Sequence, residues 1–369
     1  MLFELTNEQR KYVGLTQVEE SWERTEFKND TYLYFNGDQL VKKIVVTENT
    51  YHEIELNEKT AENRTVVLPK TPKGKIKKLN HTALQSMSGI GVYFAFHSQC
   101  VKIANYSTQT TFYSSDWDQE KIEGLNGLKK WLNWWIKDTS ENDMKDIELF
   151  RSSVRQHCTY KEGDFFAFKS GRRQYGFGRI LLDVTPIRNA VKKGTLKEKH
   201  YGLMQLMGKP LIIKIYKKTS NTMEVDFNEL KQCEAYFSVP IMDNVFYYGE
   251  YKILGNQPLE PPELEFPISY SRSISAIDSD MVYLQYGLIY KETHISNYDK
   301  YLKDPNKEGF FALNPFRYES IGYGFSPIVK DSDLRNPQNA DIKREIFEHF
   351  GLDANKSYYE NYEEYRRER

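Results

Sequence analysis

Tyr160 to Val184 reads Tyr-Lys-Glu-Gly-Asp-Phe-Phe-Ala-Phe-Lys-Ser-Gly-Arg-Arg-Gln-Tyr-Gly-Phe-Gly-Arg-Ile-Leu-Leu-Asp-Val, and its spacing of aromatics and glycines admits little besides a β-hairpin. Phe165, Phe166, Ala167 and Phe168 have the compact aromatic character of a half-buried strand, with Gly163-Asp164 as the turn before it. Lys169 to Gln174 is polar around Gly171, which predicts a short connection with a positive φ at that glycine. Tyr175 to Val184 returns as the second strand. Gly176 and Gly178 share one of its faces, where a bulge or another chain segment can come close.

Upstream, Thr6 before Asn7-Glu8-Gln9-Arg10 predicts a capped helical turn. Tyr32 to Phe35, Asn36-Gly37-Asp38 and Leu40 to Val46 predict a tight hairpin, because Asn-Gly supplies left-handed backbone. Tyr51 to Leu56, Thr65 to Leu68, Gly91 to Phe96, Val101 to Tyr106 and Thr110 to Tyr113 read as further strands. Five lysines between Lys70 and Lys78 suit a solvated connection, or a loop for phosphate or an acidic partner. Leu125, Leu128, Trp131, Leu132, Trp135 and Ile136 fall on one helical face, opposite Lys129, Lys130, Asn133 and Lys137. Trp134 sits off that stripe, either buried against a loop or neighbouring domain or free to touch a partner. A second helix opens at Ser140 and runs towards Arg155.

Beyond it the texture becomes strand-like: Asp164 to Phe168, Tyr175 to Val184, Pro210 to Tyr216, Ala235 to Val239, Val245 to Leu254 and Met281 to Tyr290. Pro258, Pro261, Pro262 and Pro267 enforce an extended path outside any sheet. After Pro327 the composition shifts. Asn339 is placed to cap a helix over Ala340 to Phe350 that Gly351 stops, and a tyrosine-rich tail follows. The fold class expected is α+β: two domains built mainly on antiparallel sheet, the first (1–152) with packed helices, the second (153–330) mostly β, and a C-terminal helical tail (331–369).

The chain's 369 residues are enough for two domains, and its 27 Tyr and 21 Phe favour sheet cores. A net charge of −1 speaks against a nucleic-acid or membrane-surface role. Met1 to Arg10 has neither the basic start nor the apolar core of a signal peptide, and three scattered cysteines suit a reducing compartment. A cytoplasmic location is expected.

Chemistry-bearing constellations are sparse. The histidines never fall in His-x-His or His-x-x-x-His spacing, and Cys158 adjoins His157, so on a strand the two would point apart. Cys158 is expected to be a buried structural thiol. Ser86-Met87-Ser88-Gly89 lacks the leading glycine of a nucleophile elbow. The Gly-x-Gly pairs at 89–91, 176–178 and 322–324 lack a third glycine. No catalytic residue, cofactor or metal is expected.

Gly163-Asp164-Phe165-Phe166-Ala167-Phe168 followed by Tyr175-Gly176-Phe177-Gly178-Arg179-Ile180 resembles the hallmark of the immunity protein 26 family. Tyr247-Tyr248-Gly249-Glu250-Tyr251-Lys252-Ile253-Leu254-Gly255-Asn256-Gln257-Pro258-Leu259, followed by Phe266-Pro267, resembles a second block of that family in the same order. Lys169-Ser170 departs from the family's usual Pro-Leu. The resemblance covers about residues 155–270. It implies a bacterial protein that binds and neutralises a cognate polymorphic toxin, with Gly163, Asp164, Phe166, Gly176, Gly178, Gly255 and Pro258 as structural motif positions. The family is also labelled as phosphotriesterase, so a phosphoester hydrolase is the alternative, and a general interaction module a third. For partner contact the residues themselves nominate Arg172, Arg173, Tyr175, Arg179 and Trp134, because Tyr, Trp and Arg carry large contact area and directed hydrogen bonds. Arg179 equally suits an internal ion pair.

Overall fold

A computed structural model describes residues 3–28, 30–61, 64, 66–67, 73–75, 77–273, 275–322 and 331–368. The fold is α+β, and it divides into two compact units. The first comprises Met1–Cys158, Lys169–Gln174 and Tyr248–Glu250; the second comprises Thr159–Phe168, Tyr175–Tyr247 and Tyr251–Arg369.

The first unit opens with α1 (Asn7–Tyr12), held by the predicted cap: the Thr6 hydroxyl accepts from Gln9 N–H. Strands β1 (Glu23–Glu26), β2 (Thr31–Asn36), β3 (Gln39–Thr47) and β4 (Thr50–Lys59) follow. A short ladder, β5 (Val66–Val67) with β6 (Lys77–Lys78), and α2 (His81–Ser86) come next. Strands β7 (Ile90–His97), β8 (Cys100–Asn105) and β9 (Thr110–Ser114) complete a seven-stranded sheet in the order β1-β2-β3-β4-β7-β8-β9, every pairing antiparallel. The β2–β3 turn falls where predicted, with Gly37 at φ +62°, but its two central residues are Gly37-Asp38, and Asn36 ends β2 paired with Gln39 without a positive φ. Thr65, Leu68 and Lys70 of the predicted fourth strand and lysine loop lie outside the described residues. Helix α3 (Gly124–Asp138) buries Leu128, Trp131, Leu132 and Trp135 in one core with Phe94 and Tyr113, as its stripe predicts. The Ser140 capping box starts α4 (Glu141–Arg151). All five tryptophans of the chain, Trp22, Trp117, Trp131, Trp134 and Trp135, belong to this unit.

The alternation in β3 turns Lys42, Ile44 and Val46 to one buried face, so one lysine enters the core. A register shift before Lys42 sends Leu40 into a separate cluster with Leu33 and Phe35. The Lys42 ammonium lies 2.5 Å from Glu53, which also accepts from Arg10 Nε at 2.8 Å and from the Tyr51 hydroxyl at 2.5 Å. Burial opposes ionisation of Glu53, yet Lys42 and Arg10 together hold its carboxyl below the ordinary range.

In the second unit β10 (Asp164–Gly171) and β11 (Gln174–Asp183) form the predicted hairpin; the outermost residues, Lys169 to Gln174, count with the first unit. The turn is the pair Arg172-Arg173, so Gly171 stays in the strand and lacks the positive φ expected of it. Then come α5 (Thr185–Lys192), α6 (Tyr201–Met204), β12 (Pro210–Ser220), α7 (Phe227–Gln232), β13 (Val239–Met242), α8 (Asn244–Tyr247) and β14 (Lys252–Asn256). Five strands pair in the order β13-β12-β11-β10-β14. The single strand expected over Val245 to Leu254 is instead α8 and β14, separated by Gly249 at φ +70°. The strand expected at Ala235 starts only at Val239, with Ala235 making one isolated bridge to Tyr216.

A second sheet holds β15 (Ile268–Arg272), β16 (Met281–Tyr286) and β17 (Ile289–His294). Gly287, at φ +54°, folds the run predicted as one strand into the β16–β17 hairpin. Helices α9 (Ala340–His349) and α10 (Tyr358–Arg367) bury Ile346, Phe347, Phe350, Tyr358 and Tyr365 in the same core as Val282, Leu284 and Ile289. The C-terminal segment is therefore part of the core of this unit. Among the described residues no helix is long and apolar enough to cross a membrane.

Candidate functional site

Strand β10 has β11 on one side and β14 on the other, and it is covered on both faces. Phe166 and Phe168 join Ile180, Ile213 and Phe246 in one cluster, while Phe165 and Ala167 join Phe177, Tyr216 and Leu230 in another. Asp164 to Phe168 are thus buried on both faces, not half-buried as their composition suggested. Glycines make room for these rings. A Cβ on Gly178 would stand 2.4 Å from the tip of Phe166 and 2.5 Å from the Lys214 carbonyl oxygen. Gly176 lies under Phe168 and Gly255 under Phe227, which itself stacks on Phe165 at 4.3 Å. Gly163 combines φ +81° with an approach that would put a Cβ 2.3 Å from the Gln257 carbonyl oxygen. Its neighbour Asp164 accepts from Lys161 N–H and from the Asn256 amide, both at 2.8 Å. The two sequence blocks are therefore one assembly, with Asn256 bonded to Asp164 and Glu162.

Arg179 is wholly buried at the centre of that assembly. Its guanidinium lies over the Phe165 ring at 4.3 Å, pairs with the Glu263 carboxylate, and donates to the Gln257 and Pro258 carbonyl oxygens at 2.8 Å each. Pro258, lacking an N–H, thus contributes its oxygen. Glu263 is fixed in turn, because its second oxygen accepts from Glu260 N–H at 2.9 Å. Of the two roles the sequence allows Arg179, the internal ion pair is the one formed.

The hairpin tip belongs to the first unit, and its two arginines are engaged there. Arg172 stacks on Trp135 at 3.7 Å and donates to Asp138 at 2.8 Å and to the Thr139 hydroxyl at 2.5 Å. Arg173 bonds Asp143 through Nε at 2.9 Å, with its side chain 47% exposed. Burial would raise the Asp143 carboxyl, but Arg173 and the Ser140 N–H and hydroxyl outweigh it and hold the group well below the usual range. Trp134 projects beside them, 45% exposed, with the Arg172 guanidinium 5.9 Å from its ring. Tyr175 packs partly buried at the edge of the Phe165 cluster.

The structure thus gathers Trp134, Arg172 and Arg173 in one neighbourhood and places Arg179 and Tyr175 elsewhere. Glu263 and Lys214 escaped the sequence reading, and Asn256 stood in the second block without a role. Glu263 carried a signal, since a carboxylate following Pro261-Pro262 sits on a rigid turn. Cys158 is half-buried, not buried, with Gln156 as its contact at 3.6 Å. No group of three or more potential metal-ligating side chains occurs among the described residues.

Residues 161–280, about a third of the chain, match the model of the family described as Immunity protein 26. That span contains the Arg179–Glu263 pair and all seven motif positions. The description names immunity alone, without the phosphotriesterase label. No curated protein and no solved structure gives a significant match.

Proposed function

We propose that this chain is a bacterial immunity protein that binds a cognate toxin of a polymorphic toxin system and neutralises it by stoichiometric contact in the cytoplasm. The observation that carries the reading is the match of residues 161–280 to the immunity protein 26 family. Its coherence with the structure adds support, because the family-like glycines, Asp164 and Pro258 all maintain one rigid, aromatic-filled sheet. Such a sheet suits recognition, since pre-ordered surfaces lose little entropy on binding.

Within this reading the toxin contacts Trp134 and Arg173, with Arg172 holding the neighbouring surface rigid. An exposed indole beside two arginines has the composition of a binding hot spot. Tyr175 contributes at most its exposed edge, and Arg179 acts from within by fixing the fold. Co-expression with each toxin candidate encoded beside this chain tests the proposal. Restored growth together with a co-purified complex of fixed stoichiometry is the expected result. Failure of both with every neighbouring candidate would refute it.

A further inference from the structure

Strand β12, helix α7 and the Pro261–Glu263 turn enclose a polar cavity of 480 Å³, within the range of small-molecule sites. Lys214, Tyr216, Lys231, Cys233, Glu260 and Glu263 contribute to its wall. Register sets the arrangement of charge beside it. Arg179 on β11 stands directly opposite Lys214 on β12, which sets two cations side by side. The Glu263 carboxylate pairs with Arg179 and the Glu265 carboxylate with Arg335, while Lys214 donates to the Glu263 backbone oxygen at 2.5 Å.

Every other cation nearby has a carboxylate of its own. Lys217 pairs with Glu234 at 2.5 Å, Lys218 with Glu229 at 3.0 Å, and Lys231 with Glu260 at 2.7 Å. Among the described residues no carboxylate forms an ion pair with Lys214. Its ammonium therefore borders the cavity with donor capacity to spare and, among the described residues, no carboxylate in direct contact. Burial lowers the Lys214 pKa; the Glu265 and Glu263 carboxylates act against it, and the Arg179 charge adds to it. Nearby, Arg179 Nε is also buried without an acceptor.

We propose that this cavity binds a small free molecule through an oxyanion, a carboxylate or phosphate group, seated on the Lys214 ammonium. The site lies within the second unit and does not depend on toxin contact. A point charge on a flexible stem suits either oxyanion, and the paired Lys231 and Glu260 supply polar contacts for the rest of the ligand.

Calorimetric titration of the full chain with succinate and with inorganic phosphate tests the site. At least one probe should bind saturably with one site per chain. Lys214→Met should weaken it by about tenfold or more, the value of a lost charge-assisted hydrogen bond, while Lys214→Arg retains it and Lys217→Met leaves it unchanged. Amine acylation of the unaltered chain, read by mass spectrometry, provides a second measurement in case Lys214→Met fails to fold. Saturating probe should slow labelling at Lys214 and not at Lys192 or Lys193. Absence of binding by both probes, equal affinity in a folded Lys214→Met variant, or binding of a glutamate-bearing peptide without binding of either free anion would overturn the assignment.

Discussion

Replacing Arg179 by Met removes one guanidinium from three acceptors at once. The Glu263 carboxylate would be left in a site where its partner is wholly buried, and breaking such a pair costs about 3–5 kcal/mol. The Gln257 and Pro258 carbonyl oxygens each lose a 2.8 Å donor, worth about 1 kcal/mol apiece when taken alone. These losses share one side chain and do not add in full, so about 4 kcal/mol is expected. Met fills most of the stem volume, which keeps the cavity contribution small. Hydrogen exchange at the amides paired between β11 and β12 is the assay, because these open only when the central sheet does. A loss of 4 kcal/mol would speed that exchange roughly a thousandfold. Combining Arg179→Met with Glu263→Leu should restore much of the protection, since neither charge then remains unpaired. An acceleration below about tenfold in the single variant, or no recovery in the double, would refute the account of this pair as the fastening of the module.

Three further outcomes are expected. Lys42→Met should destabilise the first unit by about 3 kcal/mol or more, visible as a lower midpoint in urea titration, because Glu53 keeps only Arg10 and Tyr51 in a site with no exposure. Burial pushes His200 down to about 4, so the unfolded chain binds a proton that the folded one refuses. The His200 contribution to stability should thus be fullest above about pH 6.5 and decline by up to roughly 3 kcal/mol as pH falls towards 4; His200→Asn should reduce the slope in thermal melts across this window. The part that persists belongs to His52, which burial also pushes down to about 4. Trp134→Ala should leave the melting temperature nearly unchanged while weakening an isolated toxin complex by about 2 kcal/mol, read as a faster dissociation rate.

Local patterns announced the elements that depend on neighbours in sequence. The stripe from Leu128 to Trp135 and the turn at Gly37 were legible because period and turn chemistry are written within a few residues. Breaks made by a single glycine were not, as at Gly249 and Gly287, where a continuous apolar run conceals a change of direction. The motif positions were legible as places but not as reasons. Gly178 shows its need only once Phe166 and the Lys214 oxygen lie against it. Arg179 and Glu263 are 84 residues apart, and no local rule pairs them. The hairpin arginines likewise find Asp138 and Asp143 more than thirty positions upstream or at that distance, through contacts that only the tertiary fold brings about.

The confinement of every indole to the first unit gives the chain a natural optical asymmetry. Selective excitation at the red edge of protein absorbance follows Met1–Cys158 and the segments counted with it, while the other unit stays silent apart from its phenols. A binding partner that quenches or shifts this emission reports on the surface around Trp134 without any label.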